Sequence, residues 1–292
     1  SPPAADRAEL RRIEDAVLSR LRKDELAAPL AVLVAALLDP ESVDQKRFSW
    51  ACFCVSDWAI ERRAHVVALA YTQLAALVWP RHARYAWLVG RLMCAFGRAR
   101  ESEMWFRRAH RVAVWTDDWE AQVRSINSLG LVYFERGRFP VSKRLHLRAI
   151  KIAQRHSLRE LEGTATHNLF AVHHACREFG EAEDCATRAF ELYGPRHPKL
   201  PEFVADGAIF WNEQGYYWRT LPILRALRGR FHEPDACIRI SAALARAAGG
   251  AGDREAFCEA WSEVAGLAEA VPNALAAAAF YEAGLGGASL GD

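Results

Sequence analysis

Apolar positions along the chain recur at spacings of three and four almost everywhere, the signature of helices that bury one face. Leu10, Ile13, Val17 and Leu21 share one face of a helix predicted over 6–22. A second, nearly all-apolar helix is predicted over 26–38 and is stopped by Asp39-Pro40. The stretch 41–56 follows, rich in aromatics (Phe48, Trp50, Phe53), and Asp57 is expected to cap a helix that reaches Val78. Alternation with a period of two is absent, so no strand is predicted.

A longer pattern lies over the helical one. The pairs Arg108-Ala109, Arg148-Ala149 and Arg188-Ala189 stand 40 residues apart. In the same register Gly97 falls on Gly137, Gly90 on Gly130, and Phe139 on Phe179. A fixed period of this size marks stacked helix pairs. In the middle repeat, helix A is predicted from about Asp118 to Glu135 and helix B from Pro140 to His156, with the break at Gly137. Small residues (Gly130, Ser142, Ala149) allow close approach, and Leu129, Tyr133, Phe139, Ile150 and Ile152 fill the space between. The pair over 41–78 reads as a divergent repeat in which Trp50 takes the place of Gly90. Residues 201–228 read as a fourth repeat, with Pro222 expected to kink its helix B. Helices are predicted over 233–248 and 253–270, joined by a glycine-rich linker at 249–252, and a last one over 274–283 is capped by Asn273.

The expected organisation is therefore an N-terminal helical pair (1–40), about four repeats (41–230), a C-terminal helix pair and cap (231–285), and a disordered tail (286–292). The chain opens Ser-Pro-Pro without Met, as it would with a tag scar or after a cut that removed an upstream domain.

Composition narrows the function classes. The formal net charge of +2 is too small to suggest a nucleic-acid or membrane-surface protein. No secretory signal opens the chain, and the apolar run 26–38 is too short to span a bilayer. The seven cysteines are odd in number and irregular in spacing, which fits free, largely buried thiols in a reducing cytoplasm. Lysine is confined to Lys23, Lys46, Lys143, Lys151 and Lys199, so positive charge is almost all Arg. That bias fits GC-rich codon usage first, since composition alone assigns no role to Arg, and second a surface that grips carboxylate or phosphate through planar forks.

The middle repeat, with Leu129-Gly130, Tyr133, Gly137, Phe139, Ser142 and Ala149, resembles the tetratricopeptide repeat. The resemblance covers roughly 41–228 and extends weakly over 233–270. Two departures stand out: His146 replaces the usual aromatic of helix B, and Phe170 stands where a small residue is expected. The 40-residue period exceeds the usual ~34 and is similar to that of kinesin light chains and of bacterial regulators with such sensor domains. The resemblance implies an all-α, right-handed superhelical solenoid of antiparallel helix pairs. It also implies that helix A lines a concave groove, and that the groove takes a peptide or protein segment.

Register then selects the groove candidates. Helix A positions give Arg84, Trp87 and Arg91 in the first clear repeat, Arg124 and Asn127 in the second, and His167 in the third. His174 and Asn212 lie one turn further on, and Arg47 comes from the divergent repeat. Arg84 and Arg91 are seven apart and so share a helix face. Arg forks bind carboxylates bidentately, and an Asn can both donate to and accept from a peptide backbone. The expected ligand is an acidic or C-terminal peptide. The same polar positions on a helix also serve as plain solvated surface.

Other chemistry finds little support. His167, His173 and His174 with Cys176 lie on one helix, but adjacent positions point ~100° apart, which leaves too few converging ligands for zinc. Cys52 and Cys54 face different ways, and no phosphate loop or nucleophile elbow is present. No cofactor or metal is implied. The expectation is a cytoplasmic, non-enzymatic adaptor or sensor that binds a peptide in its groove, as the ligand-binding part of a bacterial regulator would. The alternative is a scaffold that holds a large partner on its outer or terminal surfaces, and a homodimer is compatible with either.

Overall fold

The computed structural model describes residues 26–194 and 197–291. The helix expected over 6–22 lies outside them. The described residues form fourteen α-helices and no strand. In chain order they are α1 (Ala27–Leu38), α2 (Gln45–Glu61), α3 (His65–Val78), α4 (Ala83–Ala95), α5 (Ala99–Trp115), α6 (Trp119–Glu135) and α7 (Phe139–Arg155). There follow α8 (Arg159–Ala175), α9 (Phe179–Tyr193), α10 (Leu200–Glu213), α11 (Tyr217–Leu227), α12 (Pro234–Gly250), α13 (Arg254–Leu267) and α14 (Asn273–Leu290). Two compact units divide the chain, one through Asn168 and the other from Leu169.

In the first unit α2 packs on α3, α4 on α5, and α6 on α7. Each pair is joined by one residue with positive φ: Arg63 at 56°, Gly97 at 69° and Gly137 at 67°. That residue lets the next N–H reach back into the preceding helix. Ala64 donates to the Ala59 carbonyl at 2.8 Å, Arg98 to Met93 at 2.9 Å and Arg138 to Tyr133 at 2.8 Å, the 6→1 bond of a Schellman stop. Asp117 and Ser157 play the same part between repeats, at φ 52° and 56°. In the second unit Arg177, Gly215 and Gly252 do so at 59°, 79° and 79°.

The sequence expectation of one helix from Asp57 to Val78 is corrected here. Asp57 lies inside α2, and the chain breaks at Arg63. No glycine marks that turn. The register of the divergent repeat changes with it. Seven residues before each turn residue stands the point where helix A meets helix B, and its partner lies sixteen residues on. In the clear repeats these pairs are Gly90 with Phe106 and Gly130 with His146. In the divergent repeat the pair is Ser56 with Thr72, whose buried hydroxyls lie 2.5 Å apart. Ser56, and not the exposed Trp50, therefore occupies the place of Gly90.

The second unit departs from expectation at its glycines. Residues 249–250 are the end of α12 and not a linker, and a Cβ on Gly249 would lie 2.2 Å from the Gly286 carbonyl oxygen. The helix expected to stop at 283 runs to Leu290, so 286–290 are helical where a disordered tail was predicted. The reason is contact: α12 and α14 cross backbone to backbone at Gly249 and Gly286, and Gly287 packs on Phe257. Glycines that read as flexible in the sequence are there to let two helices touch. Ala243, Leu244, Ala247, Ala279 and Ala283 complete this core.

All seven cysteines are free, but only Cys52 is buried, and Cys176 and Cys258 are exposed. The other four are half-buried. No described helix is long and apolar enough to cross a membrane.

Candidate functional site: an arginine–aromatic cavity

Three successive A helices of the first unit, α2, α4 and α6, supply the walls of a cavity of about 490 Å³. Aspartate caps start two of these helices. Asp44 Oδ1 accepts from the Arg47 N–H at 2.9 Å to start α2, and Asp118 Oδ1 accepts from the Ala121 N–H at 2.9 Å to start α6. From α4 come Arg84, Trp87 and Arg91, from α2 Phe53 and Asp57, and from α6 Glu120 and Arg124.

Trp87 organises the centre. Its indole N–H donates to Ser128 Oγ at 2.9 Å, which fixes the ring. The Arg91 guanidinium lies 5.3 Å and that of Arg124 5.8 Å from the ring centroid. Arg84 lies 4.9 Å from the Phe53 ring. Stacked guanidinia keep their N–H edges free for a ligand while the flat face rests on the aromatic. Arg124 has a carboxylate at long range, Glu120 at 3.9 Å. Arg84 and Arg91 make no ion pair or hydrogen bond among the described residues. Three guanidinia and His65 face two carboxylates, Asp57 and Glu120, so the cavity is net positive.

The nine residues selected from the sequence thus divide. Arg84, Trp87, Arg91 and Arg124 converge. Arg47 is exposed in the first turn of α2 and outside the cavity. Asn127 is 8% exposed, and its carboxamide oxygen accepts from His146 Nδ1 at 2.7 Å. Asn212 is 1% exposed; it accepts from Thr220 Oγ1 at 2.6 Å and donates to the Ala243 carbonyl at 3.2 Å. His167 is 3% exposed, and His174 Nε2 is bonded to Glu213 at 2.6 Å. Asn127, Asn212 and His174 thus bond to residues of neighbouring helices, His167 is buried, and none presents an open surface like that of Arg91. His173 is likewise bonded to Glu178, at 2.5 Å, and among the described residues no cluster with metal-ligand geometry occurs. Phe53 and Ser128 were not selected from the sequence. Phe53 sits in an aromatic-rich segment whose register was misplaced, and Ser128 acts only by holding Trp87.

Residues 123–157, covering α6 and α7, match the family profile described as "Tetratricopeptide repeat". No curated protein matches the sequence. Among solved structures, a Rap protein complexed with Competence and Sporulation Factor aligns with a TM-score of 0.60 at 11% identity, covering 98% of this chain and 92% of the other. BtubC from P. vanneervenii aligns at 0.56 and 17% identity, covering 78% and 92%. The Rap conjugation gene regulator of plasmid pLS20, in complex with the Phr* peptide, aligns at 0.56 and 12%, covering 84% and 75%. Such identities establish fold alone, and the fold is that of tetratricopeptide-like helical-repeat proteins, among them a putative kinesin light chain from Podosopora anserina with nearly identical repeats. The chain is an all-helical repeat protein with one repeat that matches the tetratricopeptide profile.

Proposed function

We propose that the chain is an adaptor or sensor module that binds the carboxylate of an acidic or C-terminal peptide in the cavity framed by Arg84, Trp87, Arg91 and Arg124. The carrying observation is that Arg84 and Arg91 are unpaired cations, one stacked on Phe53 and the other on Trp87. A carboxylate gains a fork of donors there without breaking an existing ion pair. Support comes also from the neighbours whose structures hold a peptide or signalling factor. The repeats over 41–230 are the binding array in this reading, and the helices over 231–285 its cap. A cytoplasmic, bacterial setting and a regulatory role follow the same parallel.

The test is fluorescence-anisotropy titration of a labelled peptide library in two forms, with free and with amidated C-termini and with acidic or neutral side chains. Arg91→Ala should weaken the best peptide about tenfold, the size of one charge-assisted contact, and leave the melting temperature unchanged. The reading fails if binding is indifferent to both terminal and side-chain carboxylates. The scaffold alternative rests on Trp115, which is 64% exposed beside Arg81. If Trp115→Ala abolishes partner capture and Arg91→Ala does not, that reading replaces the first.

A further inference from the structure

The first unit carries a second cavity, of about 420 Å³, on the B helices. It lies between α5 and α7 above α6. Its floor is apolar, with Ile126, Leu129 and Leu145. Its wall is cationic, with Arg107, Arg111 and Arg148 beside His110, and no carboxylate lines it. Along α7 there are Lys143, Arg144, Arg148, Lys151 and Arg155 and no Asp or Glu, so the surrounding field is positive as well.

The cations differ in their engagements. Arg107 donates to Glu103 Oε1 at 3.0 and 2.9 Å and to the Tyr133 hydroxyl at 2.8 Å. Arg111 and Arg148 have no hydrogen bond or ion pair among the described residues. His110 Nδ1 is buried and has no partner. A buried polar atom without a partner costs free energy that a bound ligand can recover.

The cationic lining is not required by the fold. In the second unit the corresponding notch lies between α9 and α11 above α10. Two periods after His110 and Arg111 stand Phe190 and Glu191, and both line that notch together with Ile223. The same place in the repeat is therefore apolar with a rim of Glu183, Glu191 and Arg219 in one unit and cationic without a carboxylate in the other.

We infer that the cavity of Arg111, Arg148 and His110 is a binding site for a phosphate monoester carried on an apolar body, an aryl phosphate in chemical class. Two unpaired guanidinia match a dianion, whereas a carboxylate satisfies only one of them. His110 Nδ1 supplies a further contact to an oxygen. The apolar body covers Ile126, Leu129 and Leu145, which inorganic phosphate would leave wet. Such a group reaches the site either on a small molecule or as a phosphorylated tyrosine of a polypeptide.

Isothermal titration calorimetry of the full chain with phenyl phosphate, phenylacetate and inorganic phosphate tests this. Phenyl phosphate should bind one to one and more tightly than either of the others. The double variant Arg111→Ala/Arg148→Ala, in which both positions are exposed and the fold should persist, should weaken it at least about tenfold. In the wild type, phenyl phosphate should also shift the His110 ring resonances, a readout that needs no variant. A phosphotyrosyl pentapeptide that binds tighter than phenyl phosphate assigns the group to a polypeptide, and equal affinity assigns it to a small molecule. The inference is overturned if phenyl phosphate does not saturate, if inorganic phosphate binds as well, or if binding survives the double variant.

Discussion

Gly130 meets His146 across the α6–α7 crossing so closely that a Cβ placed on it would lie 2.5 Å from the imidazole ring. His146 is fully buried and cannot swing out. Gly130→Ala should therefore cost about 1–3 kcal/mol, as an overpacked core does. Gly180, early in α9, has nothing within 4 Å of such a Cβ. Gly180→Ala should stabilise by about 0.5–1 kcal/mol through helix propensity. Urea unfolding of the two variants checks both signs, and equal effects would refute the packing argument.

The same imidazole sets a pH dependence. Burial drives the His146 pKa from an ordinary 6.5 down to about 3. Its Nδ1–H donates to Asn127 Oδ1, while Nε2 has no partner. The unfolded chain binds this proton below pH 6.5 and the folded chain does not until about 3. Stability is thus complete above pH 6.5 and is lost progressively as pH falls toward 3. His82 and His110 are lowered too, by burial first, and add in the same direction. Glu103 acts in a separate window. Partial burial raises its carboxyl, but bonds from Tyr133, Arg136 and Arg107 outweigh that and bring it from 4.5 to about 2. Between pH 6.5 and 4.5 the histidines should dominate, and His146→Phe should flatten the slope of urea midpoint against pH there. An unchanged slope would remove His146 as the cause.

The repeat was legible in the sequence because close helix crossings demand a small residue opposite a large one at a constant interval. The rule says which sizes must meet but not which helix supplies which. Phe170 looked like a defect on that account. Sixteen residues on stands Ala186, and both belong to one buried cluster. The third repeat has exchanged large for small. Phe170→Ala alone should cost about 3–5 kcal/mol by leaving a cavity, and Ala186→Phe alone about 1–3 kcal/mol or more by overpacking. The double variant should cost less than the sum of the two, a coupling that a double-mutant cycle with urea unfolding measures. Strict additivity would show that the two positions do not share one space.

The candidate site was half legible, and the reason lies in what a helix position can encode. Arg84 and Arg91, seven apart, must share a face, and an unpaired Arg stays at the surface. An Asn or His at a neighbouring position can turn to the groove or to the adjoining helix with equal ease. Asn127 and Asn212 turned inward, because His146 and Thr220 on the partner helices offered them bonds. Those partners are twenty residues or fewer away in sequence, but nothing in a single chain says that they face each other.

Turns were legible only where glycine marks them. Arg177 holds φ 59° and Asp117 φ 52°, where Gly137 holds 67°. A left-handed conformation costs a residue with a Cβ about 1–2 kcal/mol, and glycine loses about 0.5–1 kcal/mol of that advantage to its freer unfolded chain. The balance favours glycine by about 0.5–1 kcal/mol at Arg177, which is exposed and makes no bond through its side chain among the described residues. Asp tolerates this region better, so Asp117→Gly should change stability by less. Arg177→Gly should therefore raise the melting temperature by about 1–4 °C, and Gly137→Ala should lower it. Scanning calorimetry on the three variants reads the order directly: Arg177→Gly highest, Asp117→Gly near wild type, Gly137→Ala lowest. A destabilised Arg177→Gly would mean that the arginine holds its turn by a contact of its own and not against backbone strain.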